Sequence, residues 1–333
     1  MHIPDGYLSP ASAGALYAAS TPFWYIASRR TKRILSGRLV PLLALLSAFC
    51  FVIQMINIPL PGGTTGHAVG ASLAAIVLGP WPAVIAVSIA LIIQALFFGD
   101  GGITAIGANC FNMAIVQVFT TYFIYSAINP THPRSRTIAA ALASYLALNL
   151  AGLFAGIELG LQPLIAHQPD GTPLYAPYSL SVAIPAMVTG HLIAGIPEAL
   201  ITTGTLTFLN HSAPELLSVT ANNEEPISPL WLRLRSIWLI LAALIFLTPL
   251  GLLAPGTAWG EWNAEQLRGM GLSFVPQGMQ KWGNFWKAIL GDYKIPGLGE
   301  QTGYIASAFL GVLLIFLGFS IITLIGRRAV TRS

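Results

Sequence analysis

Three nitrogen atoms stand in a row at the start of this chain, which begins MHIPDGYLSP. They are the α-amine of Met1, the backbone amide of His2 and the imidazole of His2. Together these atoms can close fused chelate rings around one metal ion. An α-amine has a pKa of about 7.7–8.0 and must lose its proton to bind a metal, and the amide must lose one as well. Ni(II) and Cu(II) suit such ligation, Co(II) is an option, and Zn(II) prefers tetrahedral sites.

A fourth nitrogen would complete a square-planar site, and His67 is the candidate. It follows PGGTTG, a flexible stretch that lets the backbone approach closely. Each histidine alone has a plainer interpretation. A residue at position 2 is usually solvated, and a histidine at a helix start is more often a cap or an interfacial residue. The two together, with a turn behind the first, predict a metal site formed by Met1, His2 and His67.

The segment behind the terminus has the composition of a tight turn. In IPDG, Pro4 presets φ at the second position of a β-turn and Gly6 stands at the fourth. Such a turn would fold the terminus back toward the helices instead of leaving it in solvent. Ser9 and Pro10 then predict the N-cap and the first turn of a helix.

Three polar residues accompany the candidate ligands further along the chain. Asp100 lies in GDGGIT, where it can orient a ligand histidine or attract the cation; the alternatives are a helix N-cap or a turn. Asn109 and Asn112 lie one to two turns into the next predicted helix. They can hydrogen-bond the ligand loop or bridge neighbouring helices.

Two further ionisable residues, His191 and Glu198, are predicted to lie inside the membrane. Their spacing puts them on one helix face, about 10 Å apart along the axis. Ionisable groups in a bilayer are costly and tend to be functional. A proton relay, a contact with a coupling subunit and a packed hydrogen bond between helices are the open interpretations. Glu158, near the end of another predicted helix, is expected at the membrane interface.

The elements that position these residues must be membrane helices. The chain of 333 residues is 55% hydrophobic and 8% charged, with a mean hydropathy of +0.71, whereas soluble domains carry about 25% charged residues. The sequence therefore predicts an all-α, polytopic membrane protein. The predicted helical segments are 9–28, 39–59, 68–79, 81–98, 103–128, 137–162, 179–209, 237–255 and 304–326.

The basic residues predict how this bundle is oriented. The segment SRRTKRILSGR after the first helix has five basic residues and no acid, which places it in the cytoplasm and the amino terminus outside. Alternation then puts NPTHPRSR, the 210–236 loop and the tail RRAVTRS inside. His2, the PGGTTGH stretch and GDGG would emerge together on the outer side. No basic region precedes the first apolar stretch, so we expect no cleaved signal peptide and a retained Met1.

Three stretches carry a resemblance to a known family: MHIPDGYLSP, GGTTGHAVGA and GDGGITAIGANCFNMA. In order and spacing they resemble the CbiM/NikM family, the membrane-embedded substrate-specificity subunits of energy-coupling-factor importers for cobalt and nickel. The resemblance covers residues 1–210, which are interpreted as the metal-binding bundle. It implies a site of nitrogen ligands at Met1, His2 and His67, with Ni(II) or Co(II) as the transported substrate and no bound cofactor.

The resemblance also implies a bundle of seven transmembrane helices, which the first seven predicted segments fit. Residues 211–333 contain two more predicted helices and the long outer loop, and they resemble the fused N-type component of long family members. Importers of this kind work with a coupling transmembrane (T) subunit and a dimer of ATP-binding (A) subunits in the plasma (inner) membrane. The carboxyl terminus would be cytoplasmic.

Other classes of function find less support in the sequence. No G-x-x-x-x-G-K-[ST] loop is present, so ATP hydrolysis requires a separate subunit. A secondary transporter driven by an ion gradient is the alternative, but only His191, Glu198 and Glu158 offer an intramembrane relay and no internal repeat is evident. An intramembrane metalloprotease would need H-E-x-x-H, which is absent, so no enzyme is predicted. The ligand set suits both ions, and amide ligation slightly favours nickel.

Overall fold

The computed structural model describes residues 1–35, 40–128, 130, 132–217, 230–283 and 285–330. This part of the chain is mostly helical, with a two-stranded antiparallel sheet. In chain order its elements are α1 (Pro10–Leu35), α2 (Val40–Gln54), β1 (Ile58–Leu60), β2 (Thr64–Gly66), α3 (Ala71–Leu78), α4 (Pro80–Ile93), α5 (Ile106–Asn109), α6 (Gln117–Ile128), α7 (Pro133–Gly160), α8 (Gln162–Ile165), α9 (Leu180–Ser212), α10 (Leu230–Leu247), α11 (Ala264–Gly269), α12 (Gln277–Trp282) and α13 (Glu300–Val330). A π-helical turn extends α4 over Gln94–Phe98, and another joins α5 to α6.

The predicted apolar segments are helices in the structure. Six stretches of the described residues are long and apolar enough to cross a membrane, and Val40–Gln54 is a shorter apolar helix. The six are Pro80–Phe98, Ile106–Ile128, Arg134–Ile165, Leu180–Ser212, Leu234–Leu253 and Glu300–Leu324. The chain is therefore a multi-pass helical membrane protein. The division into seven core helices plus two, and the outer position of the amino terminus, stay predictions.

Two predicted local features are confirmed by the backbone. α3 ends at Leu78, where Gly79 has a φ of 76°, a conformation that residues with a side chain rarely adopt. Ser9 caps α1, because its hydroxyl accepts a hydrogen bond from the Ser12 backbone N–H at 3.2 Å. Gly79 and Ser9 thus fix the boundaries of two elements that flank the candidate site.

Two other local predictions are wrong. α1 continues to Leu35, so much of the basic segment after residue 28 is helix, because its Arg, Lys and Leu residues are good helix formers. The turn near the terminus is shifted by one residue. The Tyr7 amide donates to the Pro4 carbonyl at 3.5 Å, so Pro4 is first in the turn. Gly6 is third, where its φ of 85° fits a type II turn.

Parts of the segments predicted to be cytoplasmic lie outside the described residues. This applies to positions 36–39, 129, 131, 218–229 and 331–333.

The core of the bundle surrounds α2. Every residue of α2 from Leu42 to Gln54 is buried, and α4, α10 and α13 pack around it. A helix that is apolar on all sides requires cover on all sides. The two C-terminal helices are therefore part of this core. The free cysteines Cys50 and Cys110 are buried, as their apolar surroundings in the sequence predict.

One end of the bundle carries the candidate site. The first nine residues, the β1–β2 hairpin, the loop 99–105 and much of 254–299 meet there. Contacts between them include a β-bridge from Thr65 to Ala258 and a hydrogen bond from the Gly102 N–H to the Ile3 carbonyl at 2.9 Å. The amino terminus is therefore packed between loops from both halves of the sequence.

Candidate metal centre

The amino terminus is buried. Met1 and His2 are 7% and 3% exposed. The N–H of Ile3 donates to Asn109 Oδ1 at 2.7 Å, and its carbonyl accepts from Asn109 Nδ2 at 3.2 Å and from the Gly102 N–H at 2.9 Å. Asn109 therefore holds the peptide that follows the two candidate ligand residues. A hydrogen bond to the segment that carries the ligands is one of the two interactions predicted for it.

The loop 99–105 holds the same peptide through Asp5. The Asp5 carboxylate accepts from the N–H groups of Ile103 (3.2 Å) and Thr104 (2.7 Å) and from the Thr104 hydroxyl (2.5 Å). A Cβ atom on Gly102 would lie 2.6 Å from the carbonyl carbon of Pro4. Glycine is therefore required where this loop crosses the terminus.

Three side chains far apart in sequence meet at this terminus. The rings of His2 and His67 stack with their centroids 5.1 Å apart and their planes at 28°. Nδ1 of His2 lies 2.9 Å from Oδ1 of Asp100, which is an ion pair when the ring is protonated, and neither ring nitrogen meets the geometric criteria of a hydrogen bond among the described residues. Buried polar atoms normally have one. The site therefore holds unused ligand capacity.

His67 presents a neutral imidazole. Its Nδ1 lies 3.0 Å from the Ala68 carbonyl oxygen, and because a carbonyl only accepts, Nδ1 carries the proton. Nε2 is left with the lone pair that a metal requires. Burial, followed by the positive amine of the terminus and by His2, lowers the pKa of His67 well below its ordinary value of 6.5. The ring is therefore uncharged at neutral pH.

Asp100 is the charged neighbour of these histidines. Burial acts to raise the pKa of its carboxyl group, but His2, His67 and the Tyr293 hydroxyl outweigh burial and hold this pKa below its ordinary value. The Tyr293 hydroxyl donates to Asp100 Oδ2 at 2.6 Å. Asp100 is therefore an ionised carboxylate beside His2. It is not the N-cap of α5, which begins at Ile106.

The orientation of the His2 ring decides how it can bind a metal. Only Nδ1 can close a small chelate ring with the amide nitrogen of the same residue, because Nε2 lies on the far side of the imidazole. In the structure Nδ1 faces Asp100. A half-turn about the Cβ–Cγ bond, which is a soft torsion, exchanges Nδ1 with Cδ2 and Cε1 with Nε2. The turned ring frees Nδ1 and brings Nε2 toward the Asp100 carboxylate.

The amine of Met1 forms an ion pair with Glu261, with 3.1 Å between the nitrogen and Oε1. Glu261 lies in the loop after α10, so the C-terminal part of the chain touches the candidate ligands. Met1 and His67 also line a cavity of about 550 Å³ between the β-hairpin, α9 and the loop 258–270. This cavity leaves space for an ion and its water beside both residues.

The remaining predicted residues lie further away. Nδ2 of Asn112 donates to Glu158 Oε2 at 2.8 Å, so Asn112 bridges helices and does not contact the ligand loop. Glu158 is 9% exposed, because Asn112 and the neighbouring helices cover it; its position at the membrane interface stays a prediction. His191 lines the cavity. No hydrogen bond or ion pair of the described residues joins His191 to Glu198.

Glu198 holds the loop that carries His67. Its Oε2 accepts from the N–H groups of Val69 at 2.7 Å and Gly70 at 3.0 Å, and its Oε1 accepts from Gln117 Nε2 at 2.9 Å. The side chain is 1% exposed. Glu198 thus acts on the site through the backbone that follows the histidine.

Two residues at the site have no signal in the sequence. Glu261 and Tyr293 lie 260 and 193 positions from the residues they contact, and no periodicity in the sequence links them to the terminus. Among the described residues no three His, Cys, Asp or Glu side chains form a metal-binding group.

These features define a multi-pass membrane protein with a buried, nitrogen-rich pocket at one end of its bundle. A family model described as the cobalt uptake substrate-specific transmembrane region, CbiM, matches residues 2–216, and a PDGLE domain model matches residues 233–328. The chain belongs to the CbiM family, whose members are transport proteins and not enzymes.

Relatives of known name agree with this family. The chain is 48% identical to the fused nickel transport protein NikMN of Rhodobacter capsulatus, over 100% of this chain and 99% of that protein. It is 43% identical to the probable fused nickel transport protein LarMN of Lactiplantibacillus plantarum, over 95% and 96%. A crystal structure of a truncated transition metal transporter is similar with a TM-score of 0.59 and 48% identity, covering 63% of this chain and 98% of that one.

Proposed function

We propose that this chain is the substrate-binding membrane component of an ATP-driven energy-coupling-factor importer for Ni(II) or Co(II). It captures one ion through Met1, His2 and His67. The names of the relatives support the substrate class. The observation that carries the proposal is the buried terminus, with His2 stacked on His67 at 5.1 Å and its ring nitrogens free of hydrogen bonds.

The chemistry of capture follows from these atoms. The Met1 amine gives up a proton, so that its ion pair with Glu261 becomes a hydrogen bond from a remaining N–H group, and the amide of His2 gives up a second proton. The ring of His2 turns so that Nδ1 joins the chelate, while Nε2–H donates to Asp100, the arrangement that orients metal-binding histidines in other proteins. Nε2 of His67 supplies the fourth nitrogen. Ni(II) accepts such a square of nitrogen ligands.

The remaining parts of the proposal concern the assembly. The chain lies in the plasma (inner) membrane. Its amino terminus and the cavity face the outside, and its carboxyl terminus lies in the cytoplasm. Residues 1–210 form the metal-binding bundle, and residues 211–333 form an N-type component fused to it. A T subunit and a dimer of A subunits couple ATP hydrolysis to release. Uptake into vesicles that requires ATP and these subunits supports this coupling, and uptake driven by an ion gradient alone contradicts it.

The first experiment is a Ni(II) and Co(II) titration of the purified chain and of a variant extended by Met-Ser ahead of Met1. The extension keeps every native side chain but converts the Met1 amine into a peptide nitrogen and moves His2 away from the new terminus. We expect binding of both ions to collapse. His2→Asn and His67→Asn should each weaken binding strongly as well.

The matched control inserts the same two residues after Gly171, which lies in an exposed turn with open space around it. Binding should be unchanged there. His132→Asn removes a histidine at the start of α7, the end of that helix away from the candidate site, and should also leave Ni(II) and Co(II) binding unchanged. Unchanged affinity in the extended variant would show that the terminus is not the site.

A further inference from the structure

The loop after α10 reaches the amino terminus from one side. The Glu261 side chain is 18% exposed and pairs with the Met1 amine at 3.1 Å. The Tyr7 hydroxyl donates a hydrogen bond to the carbonyl oxygen of the next residue, Trp262, at 2.5 Å. Trp262 and Trp259 also line the cavity beside Met1. This loop therefore forms a wall of the candidate site.

A second segment of the C-terminal region reaches the other side of the site. The Tyr293 hydroxyl donates to Asp100 at 2.6 Å and accepts from Gln94 Nε2 at 3.3 Å. Asp292 and Tyr293 have positive φ angles of 55° and 59°, which are unfavourable for residues with a side chain. Such a conformation persists only where the surrounding structure imposes it, and it is found mainly at functional sites.

The loop before Tyr293 is fixed to the helix end that precedes Asp100. The Leu290 N–H donates to the Phe97 carbonyl, and the Trp286 indole N–H donates to the Leu96 carbonyl, both at 2.8 Å. Carbonyl groups at the end of a helix have no hydrogen-bond donors within the helix. Here the C-terminal region provides the donors. The position of the Tyr293 hydroxyl relative to Asp100 is thereby fixed.

We propose that the C-terminal region completes the metal site, with Glu261 and Tyr293 as positioning residues. Glu261 orients the amine of Met1, whose remaining N–H groups still donate when its nitrogen binds a metal. Tyr293 fixes Asp100, and Asp100 orients the imidazole of His2. The inference rests on the proposed function, because it requires Ni(II) to bind at the terminus.

The test is a Ni(II) titration of the full-length chain and of Tyr293→Phe and Glu261→Ala. Each substitution removes one contact and leaves all ligand nitrogens in place. Loss of a group that orients a metal ligand weakens metal affinity by about 10- to 100-fold, and we expect this range for both variants. The visible absorption spectrum of bound Ni(II) should also change, because it reports the geometry of the ligands.

A double-variant cycle separates positioning from general support of the fold. If Tyr293 acts through Asp100, Tyr293→Phe should add little to the loss caused by Asp100→Ala. The matched controls are Tyr304→Phe and Glu265→Ala. The Tyr304 hydroxyl donates to the Met55 carbonyl at 2.9 Å, and phenylalanine there removes this hydroxyl but keeps the ring that packs on Tyr293. Glu265 is an exposed acid close to Glu261 in sequence. Both controls should keep the affinity and the spectrum of the wild type.

Each outcome bears on the inference. Wild-type affinity and spectrum in Tyr293→Phe and Glu261→Ala, equal losses in the controls, or additive losses in the cycle would each overturn it and leave the proposed function standing. A wild-type chain that binds no Ni(II) would overturn both. If Glu261→Ala melts at a lower temperature than the wild type without metal, Glu261→Gln is added. It keeps an acceptor for the amine and should bring affinity and spectrum back toward the wild type, so losses as large as those of Glu261→Ala count against the inference.

Discussion

Replacing Glu198 with leucine should weaken metal binding, although Glu198 lies in α9 and touches no candidate ligand nitrogen. Its carboxyl group accepts hydrogen bonds from the backbone N–H groups of Val69 and Gly70, directly after His67. Leucine fills a similar volume but offers no acceptor. Both amides would then stay buried without partners in the loop that presents His67.

The size of the effect follows from these two bonds. A buried donor without a partner costs about 1–3 kcal/mol, so the two amides together disfavour the present loop conformation by about 2–6 kcal/mol. With about 1.4 kcal/mol for each factor of ten, Ni(II) affinity should fall by at most about 20,000-fold, and by about 30-fold if each amide costs only the lower value. Glu198→Gln retains an acceptor for the same donors and should lose about tenfold or less.

The assay is isothermal titration of Ni(II) into the purified chain, together with a thermal melt of the metal-free protein. Thr202→Val is the matched control. Thr202 lies one turn further along α9, is 1% exposed, and its hydroxyl has no hydrogen-bond partner within the described part of the chain. A folded Glu198→Leu variant with wild-type affinity would refute the argument that this carboxyl group holds the ligand loop.

Burial keeps the pKa of His67 well below 6.5, so the unfolded chain takes up a proton that the folded chain does not. The metal-free protein should therefore lose thermal stability as the pH falls below about 6.5, and His67→Gln should reduce this slope; parallel slopes would contradict the assignment. Asn109→Leu removes both contacts to the Ile3 backbone and should lower Ni(II) affinity at least about tenfold, a result that unchanged titration curves would exclude. Gly102→Ala should abolish Ni(II) binding because its Cβ atom collides with the terminal peptide, whereas Gly14→Ala on α1 has open space and should leave binding intact.

Much of the fold can be predicted because its signals are local. Long apolar blocks specify membrane helices, and the cap at Ser9 and the break at Gly79 depend on residue types within a few positions. His2, His67 and Asp100 could be assigned to one end of the bundle because each follows or precedes a predicted helix on the same side. The turn at Pro4 was placed one residue too early, since Pro and Gly each fit two positions of a β-turn.

The other part of the site depends on packing between distant segments. Nothing near Glu261 or Tyr293 marks them as partners of the terminus, because no periodicity connects positions separated by 260 or 193 residues. The burial of Glu158 depends in the same way on Asn112 from another helix. Which of several acids reaches the amine is settled only when the C-terminal loop packs over the first residues.

The peptide from Ile3 to Tyr7 is held through the backbone of Ile3, the Asp5 carboxylate and the polar groups of Tyr7, while Met1 and His2 precede it. These two residues can change their torsion angles without disturbing any helix. Empty and loaded molecules should therefore share one backbone from the third residue onward. A partner protein that distinguishes the two forms would have to sense an added positive charge, or the stiffening of two residues, rather than a new shape.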